Sequence, residues 1–200
     1  MRDVGATRRL FSAMAVGGSL VIATAAGVAT AQQQGDDRAL AAFEVVRSVL
    51  QHPRCQNCHI PGDAPLQYDE GLRHAQYVMR GPNGHGAIAM ECSTCHRDSN
   101  LPESYGERAP PGAPDWHLPP PETKMVFIGL SPRDLCQTIK NSRATGGKDL
   151  NAMLVHMRDD KLVAWGWNPG GQRTVPPVSR TDTVAAFKTW MDAGAPCPAQ

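Results

Sequence analysis

A chain of 200 residues with a formal net charge of +1 is about one domain long and has no basic excess of the kind that holds nucleic acid. Gly 19 and Pro 17 against an aromatic share of 6% describe a loop-rich polypeptide with few side chains for a large core. Something other than apolar side chains is therefore expected to fill its middle.

At the N-terminus Arg2, Arg8 and Arg9 precede an uncharged run from Leu10 to Ala31, rich in Ala, Val and Gly, that closes on Ala29-Thr30-Ala31. This is the pattern of a secretory signal peptide over 1–31 with an A-x-A cleavage site. It predicts a mature chain over 32–200, folded as one domain in the periplasm. The run is long enough to span a bilayer, so membrane contact is expected only if it is retained; its Gly, Ser and Thr residues make it weakly apolar and favour cleavage. Thr7-Arg8-Arg9-Leu10-Phe11 resembles a twin-arginine signal as well, but export of the unfolded chain suits a cofactor attached afterwards.

Leu40, Phe43, Val46 and Leu50 recur at helical spacing and predict a helix from Asp37 to Gln51. It runs straight into Cys55-Gln-Asn-Cys58-His59, and the same arrangement returns as Cys92-Ser-Thr-Cys95-His96. A zinc clamp would leave both histidines unexplained, and the two pairs lie farther apart than in the commoner zinc spacings. A thioredoxin-like dithiol would want a βαβ pattern around it and would not come twice. Two C-x-x-C-H units in one exported chain read as two haem c groups: cysteines at i and i+3 share one face of a helical turn and each forms a thioether with a haem vinyl. His59 and His96 are then the proximal iron ligands. Only 33 residues separate Cys58 from Cys92, fewer than a free-standing small cytochrome takes, so one domain with two neighbouring haems is expected.

Residues 60–90 carry turn signals, and 99–122 form a Pro-rich loop whose Trp116 and His117 mark it as cofactor cover. Ser131 caps a predicted helix that has Pro132 at its first position and carries Cys136. Further helices are predicted over Lys148–Met157 and over Thr181–Ala193, the latter capped by Thr181, buried through Val184, Phe187, Trp190 and Met191, and stopped by Gly194. Trp165-Gly166-Trp167 suits the wall of a haem pocket or the core of a loop. No segment has a strand pattern. The fold class is mainly α with long Pro/Gly-rich loops, a single dihaem cytochrome c domain.

Cys136 and Cys197 are left over and are expected to pair in an oxidising compartment; a cysteine ligating a haem is the alternative. For the distal iron positions the pool holds five histidines and the methionines. His52 is too close to Cys55 to cross to the opposite haem face, and His85, among glycines, reads as an exposed turn residue. His74 and His117 rank first as distal candidates, then His156, with Met125 and Met153 the methionines to test.

The strings HPRCQNCH, RGPNGHG followed by CSTCH, DWHLPPPETKMVF, LVAWGWNPG and AGAPCP together resemble the dihaem c-type cytochromes labelled isoquinoline 1-oxidoreductase subunit. The resemblance covers nearly the whole mature chain. Its C-x-x-C-H pair is specific for haem, and WHLPP and AWGWNPG are the parts particular to the family. It implies periplasmic electron transport: electrons taken from a molybdenum hydroxylase-type dehydrogenase and passed to a terminal cytochrome acceptor. It also adds weight to His74 and His117 as ligands. The expected function is electron transfer rather than catalysis. The alternative is a small haem enzyme, a peroxidase or sulfur-compound dehydrogenase, with one open or displaceable axial position.

Overall fold

In the computed structural model residues 19–199 are described. Two compact units are distinguished, one ending at Gly35 and one beginning at Asp36. Helix α1, Ser19–Leu50, begins in the first, and every other element belongs to the second. The helix expected from Asp37 therefore starts earlier, at Ser19. Residues 1–18 of the expected leader lie outside the described residues. Among the described residues no helix is long and apolar enough to cross a membrane.

The second unit is partly helical with little strand. The predicted stripe of α1 is real: Phe43 and Val46 are fully buried and Leu50 nearly so. Phe43 packs on Trp190 with ring centroids 5.2 Å apart. Trp190 lies on α6, Arg180–Asp192. Helix α3, Pro132–Lys140, starts as the sequence requires: Ser131 Oγ accepts the Asp134 N–H, and Leu135, Cys136 and Ile139 are buried. Helix α4, Leu150–Asp159, is capped by Asp149 and buries Met153 and Met157 against the same core. Behind α6 the chain returns to α3, where Cys136 and Cys197 are joined in a disulfide, as expected. Trp190 Nε1 donates to Pro196 O and Lys140 Nζ to Ala195 O, fixing the same tail.

Three helix and strand expectations need correction. The cap of α6 is Ser179, not Thr181: Ser179 Oγ accepts the Asp182 N–H while its hydroxyl donates to the Asp182 carboxylate, a reciprocal cap two residues earlier than the Thr. A short helix missed in the sequence, α5 (Lys161–Trp165), follows α4 directly, because Asp160 accepts the N–H groups of Leu162 and Val163. Two small antiparallel hairpins occur, β1 (Leu66–Gln67) with β2 (Leu72–Arg73), and β3 (Gly86–Ala87) with β4 (Met90–Glu91). Strands of two residues are too short to show alternation in sequence.

Between α2, Pro53–Gln56, and α3 the chain has no α-helix and is held by polar ties. Arg80, almost wholly buried, donates to the carbonyls of Ile60, Gly62 and Pro119 and pairs with Asp63. One guanidinium thus ties three carbonyls of two loop segments, around residues 60–63 and 119, to the loop that carries it.

Candidate cofactor sites

The first cysteine motif sits on a single helical turn. His52 Nδ1 accepts the Arg54 N–H and Pro53 occupies the first position of α2, where its missing N–H costs nothing. The Cys58 and His59 N–H groups then both reach Cys55 O. His59 Nδ1 lies 2.8 Å from Met125 O. A carbonyl only accepts, so Nδ1 carries the hydrogen and Nε2 keeps a free lone pair. Phe127 stacks on the ring at 4.0 Å, and its N–H donates to His59 O. Burial pushes His59 down to about 4, so the imidazole is neutral at physiological pH. What surface the ring retains faces a mainly apolar cleft of about 1190 Å³, its open mouth included.

The two thiols beside it line that cleft and are free. Burial pushes Cys55 up to about 12 and Cys58 up to about 11, Cys92 of the second motif adding to the latter. The two motifs are therefore neighbours.

The second motif repeats the arrangement with other loops. Its cysteines open a single 3-10 turn, Cys92–Thr94, and the His96 N–H reaches Cys92 O at 2.9 Å. His96 Nδ1 donates to Pro111 O at 2.7 Å, and Trp116 stacks on the ring at 4.2 Å, 4° from parallel. Gly112 permits this, because a Cβ there would sit 2.2 Å from Ser99 O and 2.4 Å from Arg97 O. Burial lowers His96 to about 4 as well. Its ring centroid is 6.3 Å from that of His74, whose own Nδ1 lies 2.9 Å from Ala75 O. Two metal–nitrogen bonds of ~2 Å and the reach of two rings occupy about that distance.

The predicted candidates are thus distributed unequally. His74 belongs to the second site. His156, His117, Met125 and Met153 line the cleft of the first. Met125 gives its carbonyl to His59. Met153 is core. His156 Nδ1 is 3.2 Å from the Asp160 carboxylate, leaving Nε2 free in the carboxylate–histidine manner of metal sites. The hydrogen bond from His156 holds Asp160 down at about 2. His117 is held instead in a cluster with Asp115 and His85.

Arg54 is a further member that the sequence did not announce. Its side chain is 3% exposed and paired with Asp69, its guanidinium lies over Trp165 at 5.9 Å, and it lines the first cleft. Its Nε is buried with no hydrogen-bond partner, which calls for an acceptor in the cleft. Around the second site the large apolar side chains of Leu72, Met79 and Met90 are exposed, surface that a flat apolar group could cover. Neutral imidazoles, paired thiols, an orphaned cationic donor and an apolar cleft all fit haem. No family model matches the chain, and no curated protein or solved structure matches it significantly.

Proposed function

We propose that the protein is a periplasmic dihaem c-type cytochrome that carries electrons, as its resemblance to the isoquinoline 1-oxidoreductase subunit cytochromes implies. Cys55 and Cys58 hold one haem and Cys92 and Cys95 the other, with His59 and His96 as proximal ligands. His156 completes the first site and His74 the second. The observation that carries this reading is the duplicate cradle: after each C-x-x-C the histidine gives its Nδ1 hydrogen to a backbone carbonyl and lies flat against an aromatic ring. The carbonyl fixes each ring in the tautomer that offers Nε2, and burial keeps it neutral.

Bound haem supplies one-electron chemistry through its iron. The polypeptide does the rest. Burial keeps His59 and His96 unprotonated against the opposing pull of the Met125 and Pro111 carbonyls, which fix the tautomer. Asp160 orients His156, and Arg54 offers Nε to an acidic substituent in the cleft. Phe127 and Trp116 hold the ligand rings and keep water from them. With a second histidine at each site no position is left for a substrate, which favours a carrier over a haem enzyme. The Cys136–Cys197 disulfide suits an oxidising compartment. The donor is a molybdenum hydroxylase-type dehydrogenase and the acceptor a terminal cytochrome, met in small, transient contacts.

Intact-mass measurement of the mature protein tests the reading: a mass increased by two haems that survives acid acetone is expected, and a bare polypeptide overturns it. Low-spin spectra should persist in cyanide and carbon monoxide. His74→Ala and His156→Ala should each convert one haem to a form that binds them, and His117→Ala should convert neither.

A further inference from the structure

His85, Asp115 and His117 are assigned no haem to hold, and although His117 also lines the first cleft, three ligand atoms from them lie within 4.8 Å of one another. His85 Nε2 is 2.9 Å from Asp115 Oδ1, and His117 Nδ1 is 2.5 Å from the Asp115 backbone oxygen and 3.5 Å from Oδ2, so an ion takes Nε2 of His117 or replaces that backbone contact. The two imidazoles face each other at 5.0 Å, 25° from parallel. His85 Nδ1 is buried without a hydrogen-bond partner, so no second contact competes for that ring. The residues are thirty positions apart, and the backbone is shaped to bring them together. Gly84, at φ +92, approaches so closely that a Cβ would lie 2.0 Å from Leu118 O, and the Leu118 N–H donates to Gly84 O. Asp115 itself holds a left-handed φ of 55, an uncommon conformation for a residue with a side chain.

We propose that His85, Asp115 and His117 form a binding site for one divalent transition-metal ion of the zinc class. Two imidazole nitrogens and one carboxylate are the donor set that borderline ions prefer, and calcium or magnesium would want oxygen throughout. Asp115 is 71% exposed, His85 45% and His117 31%, so the ion can enter from solvent and keep water in its remaining positions. The site uses neither cysteine motif and does not depend on haem being bound.

Zinc titration of the full mature protein by calorimetry is the test, with Zn2+ as a redox-silent probe. One saturable equivalent is expected. Asp115→Asn, close to the native shape, and His85→Ala should each weaken it by at least about 10-fold, while Glu107→Gln leaves it unchanged. If His85→Ala does not fold, Asp115→Asn with Co2+ absorption as the readout carries the test: a ligand-field band in the parent and none in the variant is expected. Absence of saturable binding in the parent protein, or binding that Asp115→Asn alters by less than about 2-fold, overturns the site. So does a His117→Ala variant that perturbs a haem spectrum while retaining the zinc.

Discussion

Replacing Asp160 with Asn separates the two jobs this residue does. Its carboxylate caps α5 through the Leu162 and Val163 N–H groups and pairs with His156 Nδ1. Asn keeps a cap of similar quality and removes only the charge. Asp160 is held down from an ordinary 3.8 to about 2, the His156 hydrogen bond being the largest cause. At ~1.4 kcal/mol per unit that bounds the contribution at about 2 kcal/mol; with a side chain 31% exposed, solvent screening brings the expectation nearer 1 kcal/mol. The folded pKa lies below the unfolded one, so native protein binds fewer protons and the contribution is full above pH ~4, then disappears as pH falls through about 2. Urea unfolding of parent and variant should therefore differ by about 1 to 2 kcal/mol at pH 7 and converge as pH approaches 2. A difference of zero at neutral pH, or one that persists undiminished in acid, refutes the reasoning. Asp160→Ala should cost about 1 kcal/mol more at both pH values, because it also removes the cap.

Further expectations follow from single contacts. Joint replacement of Cys136 and Cys197 by Ser opens a link spanning 61 positions, a loss of about 4 kcal/mol in the chain-entropy model that should lower Tm by roughly 10 °C; a shift under about 3 °C contradicts it. Ser179→Ala should destabilise by about 1 kcal/mol and Thr181→Ala by no more than about 0.5 in denaturant titrations, and the reverse ranking would restore the cap read from sequence. On the proposed reading, Gly112→Ala should change the spectrum of the second haem more than that of the first, since its Cβ would meet the Ser99 and Arg97 carbonyls beside His96. Trp116→Leu, by contrast, should shift the spectra of both haems, and a change confined to one rejects the shared wall.

How far the sequence reached depends on the range of the interaction. The helix around Phe43, the Ser131 start and the Cys136–Cys197 pair were legible because each is written in a short pattern or in simple arithmetic of cysteines. Ser179 was missed because Thr181 offers the same chemistry two positions on, and only the hydrogen bond distinguishes them. The two C-x-x-C-H motifs were legible; the contacts that hold their histidines were not, for Met125 and Pro111 contribute carbonyls, which leave no mark on residue type. Asp160, four positions past His156, was visible in the sequence as an i, i+4 neighbour, but its contact with His156 Nδ1 was not. The cluster of His85 with Asp115 joins two loops across thirty residues, and only the glycine at position 84 hinted at a close approach.

The two cradles are not independent, because they share side chains. Trp116 lies parallel on His96 of the second site, lines the cleft of the first, and meets Trp165 edge-on at 4.7 Å. Trp165 in turn lies beneath Arg54, which belongs to the turn carrying Cys55, and its Nε1 donates to Asn100, whose oxygen also accepts the N–H of Gly112 beside Pro111. From His96 to the first cysteine there is thus an unbroken run of stacked or hydrogen-bonded groups, and packed groups of this density transmit a displacement rather than absorb it. Each motif has its own stacked ring, Phe127 on His59 and Trp116 on His96, but Trp116 and Trp165 also line the first cleft. Two of the chain's four tryptophans therefore form a wall common to both motifs, and a displacement at one motif reaches the other through it.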